Sequence, residues 1–508
     1  MEQLDRVPCI QVNSTNIIAC WPHLMKAIEQ SHFLAIDLEL SGLGDKKKLI
    51  LKDIEERYKA IGEVAKTRSI LSVGLSFFRY NRKLINGSDQ TDWRNKDEFC
   101  DWNFKVINFE LLTLCNEESV LEDESRSFLV SHGFDFDAQT SIGLQYLRAD
   151  QELNPDVPSI RNLFHQLVNK KVPLVLHNGL LDLIFIYHNF LANLPPKLPT
   201  FVADLDKLFP KGIFDTKYVA EHNFKSKGSY LEYLFYQRQR RNLERRVANK
   251  PFISISFGSD DSIRDFVVER SMKSIILGDK PEGLKICDDY RQHGWCKKGA
   301  SCQKSHDIDF ILDDEDFYKE PSKTRKRILA KMNLINSPKN DVEMGEVGDS
   351  IEIKEHINGQ VKSGIHRSGY DAFMTGYCFA TFINELSKQK PGKSGKLNFS
   401  TSEMLKLNNK IFLTGKKDPL QIRYSQYSKP SSNISKLITE TMSPEITKEC
   451  GIIDPEKVDG SNSVTSEESK SLNSSGISDC DLIVTSETDE ISDSLDGTNG
   501  TESIDEEQ

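Results

Sequence analysis

The chain has 508 residues, a formal net charge of −11 and ten cysteines. This length is enough for two or three domains with substantial cores. No run of 18 or more apolar residues is present, so no transmembrane helix is expected. The first residues, MEQLDRVPCI, lack the basic start and apolar core of a signal peptide, so none is expected there either.

The negative charge is concentrated at the end of the chain. Residues 431–508 carry 19 acidic and 4 basic side chains, and the preceding 430 residues carry a net charge of about +4. The end segment is rich in Ser, Thr, Asp and Glu and has almost no aromatic residues, so it is predicted to be disordered. A mildly basic body is compatible with a nucleic-acid partner.

The first half of the chain predicts strands and helices in alternation. Hydrophobic patterning indicates strands at 33–38, 69–78 and 102–112, with a helix at 45–66. These elements predict the first part of an α/β domain.

The residues from 172 onwards repeat the succession of strand and helix. Residues 172–191 predict a buried strand, a turn at Asn178-Gly179 and a buried helix, and 212–222 predict another strand and helix. Further helices are expected at 229–246 and 368–387, with a compact Cys/His segment and a polar stretch between them. The predicted fold class is therefore α/β.

Two carboxylates interrupt the apolar segment LAIDLELS. Side chains alternate between the two faces of a strand, so Asp37 and Glu39 are expected to share a face. Two like charges on a buried face need compensation, which Lys, Arg or a divalent metal could supply. The alternative is a turn at a strand end, because Gly42 and Gly44 follow at once.

Three other polar residues stand out only in combination. Asp182 is expected in the first turn of an apolar helix, where the helix dipole favours a carboxylate. His366 and Asp371 are five residues apart in HRSGYDAF. Taken alone, His366 is typical of a surface histidine and Asp371 of a helix cap.

The order of these residues along the chain resembles that of a nuclease family. Asp-x-Glu on a first strand, an Asp on a later helix and His-x4-Asp near the last helix resemble the DEDDh 3′-to-5′ exonucleases, and more closely the poly(A)-specific ribonuclease (CAF) family of deadenylases. The flanking segments that carry the resemblance are FLAIDLELSGL, EERYKA, SILSVGLSFF, SFLVSHGFDFD, PLVLHNGLLDL, IFDTKYVAE and HRSGYDAF.

This resemblance implies a fold, a site and a reaction. The fold is a ribonuclease H-like exonuclease core, a mixed sheet flanked by helices. Asp37, Glu39, Asp182 and Asp371 match the four acidic ligands of two Mg²⁺ ions, and His366 matches the general base. The implied reaction is Mg²⁺-dependent 3′-to-5′ hydrolysis of poly(A) or of adenylated 3′ tails on RNA.

A compact cysteine cluster predicts a second metal site. The other seven cysteines are scattered, which is not a disulfide framework and suits a reducing compartment. The spacing Cys-x8-Cys-x5-Cys-x3-His predicts a structural Zn²⁺ site with the ligands Cys287, Cys296, Cys302 and His306.

The segment around this cluster resembles the CCCH zinc fingers, most of which bind RNA. Lys297, Lys298 and Lys304 would add charge for phosphates. Lys304 occupies the position where RNA-binding fingers often have a stacking aromatic ring. Both RNA contact and protein contact therefore remain open for the finger.

The finger lies between Asp182 and His366, so it interrupts the nuclease core. The resemblance to deadenylases with such an insertion implies a nuclear enzyme of Cajal bodies that trims small nuclear RNAs. A nuclear-localisation signal is predicted after the finger, with a solvated basic helix face as the alternative, at Lys323, Arg325, Lys326 and Arg327. The basic run 237–246 predicts an exposed helix face or an RNA-facing patch.

Five segments are predicted in chain order. They are the first part of the nuclease core (1–275), the finger (280–310), a basic and polar linker (311–362), the last part of the core (363–428) and a disordered acidic tail (429–508).

Two other functions fit the same pattern. One is a 3′-to-5′ DNA exonuclease of the same fold, which the finger and the deadenylase-like flanks disfavour. The other is an RNA-binding adaptor with a vestigial nuclease core, which the complete set of acidic residues disfavours.

Overall fold

The computed structural model describes most of the first 441 residues. The described ranges are 4–81, 102–149, 157–274 except 249 and 259, 285–317, 367–387, and 397–441 except 398, 424 and 426. Neither His366 nor the predicted localisation signal at Lys323, Arg325, Lys326 and Arg327 lies within these ranges.

The strands form one mixed sheet of eleven members. They are β1 (Val7–Val12), β2 (Phe33–Leu40), β3 (Ile70–Asn81), β4 (Trp102–Cys115), β5 (Leu144–Tyr146), β6 (Leu174–Leu176), β7 (Ile213–Asp215), β8 (Ile253–Phe257), β9 (Val267–Arg270), β10 (Lys410–Ile411) and β11 (Leu420–Gln421). The main order is β11-β10-β7-β6-β2-β3-β4-β1-β9, and β5 and β8 each pair with β4.

Fourteen α-helices of the described ranges accompany this sheet. They are α1 (Ile17–Gln30), α2 (Ile54–Thr67), α3 (Asp123–Ser131), α4 (Phe136–Ile142), α5 (Ile160–Lys170), α6 (Leu180–Ile186), α7 (Leu198–Leu208), α8 (Thr216–His222), α9 (Leu231–Val247), α10 (Asp288–His293), α11 (Ile308–Phe317), α12 (Ser368–Leu386), α13 (Ser402–Leu405) and α14 (Ser432–Thr441). None of these helices is both long enough and apolar enough to cross a membrane.

Strand β2 lies at the centre of the sheet, where parallel and antiparallel pairing meet. It runs antiparallel to β3 and parallel to β6, and β7 and β10 continue the parallel side. The carboxyl ends of β2, β6, β7 and β10 therefore share one edge of the sheet, where a ligand site is common in α/β folds. The mixed sheet with helices on both faces confirms the predicted fold class.

Two hydrophobic clusters cover the two faces of the sheet, and β2 contributes to both. Leu34, Ile36 and Leu38 belong to one cluster, whereas Phe33 and Ala35 belong to the other. Because side chains alternate along a strand, Asp37 and Glu39 lie on the face of Phe33 and Ala35.

Helix α12 covers that second face. Seventeen of its 19 residues, from Ser368 to Asn384, are buried, and it packs on β2, β3, β4 and α9. A helix that is apolar on all sides is typical of a central, fully covered position. This packing places the amino-terminal end of α12 over the middle of β2 and β3.

Two boundaries expected from the sequence are wrong. The segment 45–66 contains a single 3₁₀ turn at Lys48–Ile50, and α2 begins only at Ile54, because the Asp53 side chain caps it by accepting from the N–H groups of Glu55 and Glu56. The ordered chain also extends beyond 429, because α14 buries Ile434 and Leu437 against the main cluster. Residues 442–508 lie outside the described ranges.

Candidate active site and Cys3His cluster

A glycine on β3 determines how closely α12 approaches the sheet. Gly74 is the register partner of Asp37, and a Cβ atom at position 74 would lie 1.8 Å from the carbonyl oxygen of Ser368. The hydroxyl groups of Ser72 and Ser368 form a buried hydrogen bond of 2.8 Å beside this contact. The first turn of α12, which carries Asp371, is therefore held against the two strands.

This packing brings three predicted ligands together. One carboxylate oxygen from each of Asp37, Glu39 and Asp371 lies within 4.8 Å of the others. Burial raises the pKa of Asp37 well above its usual range, and the charges of Asp371, Asp182 and Glu39 raise it further. Three converging carboxylates with an oxygen-only donor set fit a hard divalent cation such as Mg²⁺.

Asp182 lies beside this group, in the first turn of α6 as the sequence predicts. It is not within 4.8 Å of all three other carboxylates, but its charge reaches Asp37. Burial raises the pKa of Asp182 to about 7, and the charge of Asp215 adds to that increase. The structure thus gathers four acidic residues from β2, α6 and α12 at one edge of the sheet.

An ion pair that the sequence did not predict holds Arg367, the residue directly before α12. Arg367, which directly follows His366, pairs with the buried carboxylate of Glu110 at 2.9 Å and donates to Gln11 Oε1 at 2.6 Å. Burial alone would lower the pKa of the Arg367 guanidinium. The Glu110 carboxylate has the opposite effect, and the resulting pKa is raised. The chain is therefore anchored one residue after the predicted general base.

Asp215 has a structural role, as expected from its position at a strand end. Its buried carboxylate accepts from five backbone N–H groups, which are those of Asn178, Gly179, Lys217, Tyr218 and Phe412. This one side chain therefore joins the β6–α6 turn, the start of α8 and the segment that follows β10. His177 lies in the same region, and its Nδ1 is 2.9 Å from Thr216 Oγ1.

The four predicted zinc ligands also converge. One ligand atom from each of Cys287, Cys296, Cys302 and His306 lies within 4.8 Å of the others. His306 Nε2 is buried and has no hydrogen-bond partner in the described part of the chain, and burial lowers the pKa of this imidazole. A neutral imidazole with a buried free nitrogen beside three thiols fits a closed tetrahedral zinc site.

Aromatic rings join this Cys3His cluster to the core of the α/β domain. The Tyr290 ring stacks on His306 with a centroid distance of 4.4 Å, and it meets the Tyr230 ring edge-on at 6.1 Å. Gly294 has φ +74°, and a Cβ atom there would lie 2.6 Å from the Tyr230 ring. Tyr230 immediately precedes α9, so the finger packs directly on that end of the helix.

The basic segment 237–246 is only in part the exposed face that the sequence predicts, because Arg238 and Arg240 are buried whereas Arg241 and Arg246 are exposed. The Arg240 side chain is only 6% exposed and pairs with Asp313 at 2.6 Å and with Asp309 at 3.2 Å, both on α11. Arg238 is also buried, where it pairs with Glu385 of α12. These arginines hold α9 against its neighbours, because acidic partners distant in sequence surround them.

The exposed side of the finger differs from its docked side. Lys304 pairs with Asp288 at 3.1 Å, whereas Trp295 is 58% exposed. The finger therefore presents one large aromatic ring to solvent, although the last spacer contains none.

Comparisons with known proteins agree with this architecture. The pattern described as CAF1 family ribonuclease matches residues 12–156 and 153–379. An uncharacterized protein of Schizosaccharomyces pombe is 25% identical over 152 residues, which cover 28% of this chain and 32% of that protein. The poly(A)-specific ribonuclease PARN of Xenopus laevis is 26% identical over 154 residues, covering 28% of this chain and 22% of PARN.

The chain thus matches less than a third of the length of these curated relatives. Among solved structures, S. pombe Pop2p in its Mg²⁺- and Mn²⁺-bound form is 17% identical, with a TM-score of 0.33 over 46% of this chain and 82% of Pop2p. The RNase domain of yeast Pop2 is 13% identical, with a TM-score of 0.32 over 45% of this chain and 75% of that domain.

Proposed function

Because the chain belongs to the CAF1 family of ribonucleases, we propose that it is a metal-dependent 3′-to-5′ exoribonuclease that removes adenosine tails from RNA. The observation that carries this proposal is the convergence of Asp37, Glu39 and Asp371 at the sheet edge, with Asp182 beside them. A cluster of buried like charges is costly without a cation, so its presence favours a catalytic metal site over a vestigial one.

The four carboxylates would hold two Mg²⁺ ions, which when bound supply Lewis-acid activation of the scissile phosphate and of the attacking water. The chain's own contribution is to hold these oxygens in place, through the β2 backbone and the close contact of α12 with Gly74. His366 would accept the proton of the water, and the residue after it, Arg367, is held by its ion pair with Glu110.

The preference for adenosine and the RNA targets are further parts of the proposal. The partial likeness to PARN supports poly(A) as a substrate. A Cys3His finger docked on the core, with Trp295 exposed, supports capture of RNA beyond its 3′ end. We further propose import into the nucleus through Lys323, Arg325, Lys326 and Arg327, with small nuclear RNAs trimmed in Cajal bodies.

The test uses 5′-labelled RNA that ends in an adenosine tract or in a mixed sequence, with Mg²⁺. We expect a ladder that shortens from the 3′ end, faster on the adenosine tract, and no shortening by Asp37→Ala/Glu39→Ala. The control is Asp137→Ala, which removes an exposed carboxylate of α4 and should leave the ladder unchanged. Tight RNA binding without shortening under any divalent metal would instead support an RNA-binding adaptor.

A further inference from the structure

Two loops distant in sequence meet beside the acidic site. One is residues 45–53, between β2 and α2, and the other is 412–418, after β10. Arg57 joins them, because its guanidinium donates to the carbonyl oxygen of Leu51 at 2.8 and 3.0 Å and to that of Thr414 at 3.1 Å. Arg57 is only 2% exposed, so this link is a buried part of the fold.

The second loop is also tied to the carboxylate network of the site. Asp215 Oδ2 accepts from the N–H of Phe412 at 3.0 Å, and the charge of Asp215 is among the causes of the raised pKa of Asp182. The first loop begins five residues after the Leu40 end of β2, which carries Asp37 and Glu39. Both loops therefore lie at the edge of the sheet that holds the acidic cluster.

Together these loops carry six lysines and three aspartates. Lys46 is paired with Glu124, whereas five exposed lysines make no ion pair within the described part of the chain. We define these five as the lysine surface: Lys47, Lys48, Lys52, Lys416 and Lys417.

The three aspartates of the two loops offset only part of the charge of the six lysines, which leaves a net charge of +3 on the two loops. Asp45 accepts from the N–H of Lys47, and Asp53 accepts from the N–H groups that begin α2. The backbone hydrogen bonds from Glu56 and Glu55 lower the pKa of Asp53, and the charges of Lys416 and Lys59 lower it further by a smaller amount. Arg57 joins the two loops and the charge of Lys416 acts on Asp53, so the five lysines lie on two adjoining loops.

We propose that the lysine surface binds the phosphate backbone of the RNA strand whose 3′ end occupies the acidic site. This inference rests on the proposed function, because it is the bordering nuclease site that selects RNA over other polyanions. Exposed lysine ammonium groups that form no ion pair are the usual contacts for the phosphate backbone of a nucleic acid. Such contacts bind the backbone independently of the base sequence.

The test compares three double variants: Lys47→Gln/Lys48→Gln, Lys416→Gln/Lys417→Gln, and Lys207→Gln/Lys211→Gln as the matched control. The control removes two exposed lysines near the start of β7, at the opposite edge of the sheet. RNA affinity is measured in the full chain with Asp37→Asn, so that the strand is not cleaved, between about 50 and 200 mM KCl.

Each loop variant is expected to weaken binding and to reduce the slope of log affinity against log salt by about 1.4, because two contacts to a single strand are lost. The control should keep the slope of the parent. Equal slopes of log affinity against log salt for all three variants would overturn the proposal. An acidic protein would then be the better candidate partner for the lysine surface.

The same lysine changes in the active chain separate the two proposals. If the wild type shortens RNA and the loop variants do so with an unchanged KM, the lysine proposal fails alone. If the wild type neither binds nor shortens RNA, the proposed function fails and the lysine proposal fails with it.

Discussion

Gly74 lies opposite Asp37 in the register of β2 and β3, and the space above it is filled by the backbone of α12. A glycine in a strand interior normally weakens the sheet, and it often marks a position where another backbone approaches closely. Here the approaching backbone is that of Ser368 and Gly369, three and two residues before Asp371. The spacing between the converging carboxylates thus depends on a residue that has no side chain.

Gly74→Ala should therefore displace the start of α12. A Cβ atom 1.8 Å from the Ser368 oxygen cannot be accommodated without moving backbone, so we expect a loss of about 1–3 kcal/mol in the free energy of unfolding and a large loss of nuclease activity. Urea unfolding and the RNA ladder measure these two effects.

The matched control is Gly62→Ala. Gly62 lies within α2, and a Cβ atom there would be 3.5 Å from the nearest neighbouring atom, on Leu194. This change should raise stability by about 0.5–1 kcal/mol, because alanine is the better helix former. Equal behaviour of the two variants would show that close packing at Gly74 is unimportant.

Asp37→Asn should stabilise the protein when Mg²⁺ is absent. The substitution removes one charge from a buried acidic group, so we expect a gain of about 0.5–2 kcal/mol. We expect Mg²⁺ to increase the Tm of the wild type, and Asp37→Asn should abolish that increase. Thermal unfolding with zinc retained and Mg²⁺ varied measures both effects, with Asp137→Asn as the control. A Mg²⁺-dependent increase that survives in Asp37→Asn would exclude Asp37 as a ligand.

His177 should make the fold sensitive to acid. Burial, with a smaller effect of the Lys217 charge, lowers the pKa of His177 from 6.5 to about 3. Because the folded-state pKa is the lower one, this contribution to stability is fully present above pH 6.5 and is lost as the pH falls towards 3. The expected loss is about 1.4 kcal/mol per pH unit within that window.

Urea unfolding between pH 7 and pH 4.5 tests this expectation with His177→Asn. The variant should be less stable than the wild type at pH 7, because contacts of the ring are lost, and the difference should shrink as the pH falls. His293→Asn changes an exposed histidine and should follow the wild type. A constant difference between His177→Asn and the wild type would show that His177 is not buried in its neutral form.

Arg240 of α9, which pairs with α11, should be far more sensitive to substitution than its neighbour Arg241. Arg240→Ala leaves Asp309 and Asp313 without their buried partner, so we expect a loss of about 3–5 kcal/mol and faster proteolysis within 285–317. Arg241 is 51% exposed and pairs with Glu244 on the same helix and, at 3.8 Å, with Glu385 of α12, so Arg241→Ala should cost less than about 1 kcal/mol. Similar losses for both variants would contradict a buried attachment of α11 to α9 through Arg240.

The parts of the site that depend on local pattern could be predicted from the sequence. Alternation along LAIDLELS placed Asp37 and Glu39 on one face of β2, and the compact Cys/His spacing identified the ligands that converge in the finger. Both predictions use residues within about twenty positions of one another, so the geometry of one strand or one short loop is sufficient.

The parts that depend on distant partners could not be predicted. From the sequence alone, Arg240 is expected to be an exposed basic residue. In the structure it pairs with Asp309 and Asp313, which lie about seventy positions later in the chain. The closeness of Gly74 to Ser368 and the ion pair of Arg367 with Glu110 likewise join segments more than 250 residues apart. The role of His366 as general base stays a prediction.

The most direct test of the central claim is the rate of RNA shortening by Asp37→Asn at saturating RNA and Mg²⁺, in a single turnover. We predict a loss of more than about 100-fold relative to the wild type, since replacing even a residue that supports a metal ligand often costs 10–100-fold. Asp137→Asn should retain the full rate. A wild-type rate in Asp37→Asn would contradict the assignment of the acidic cluster as the catalytic metal site.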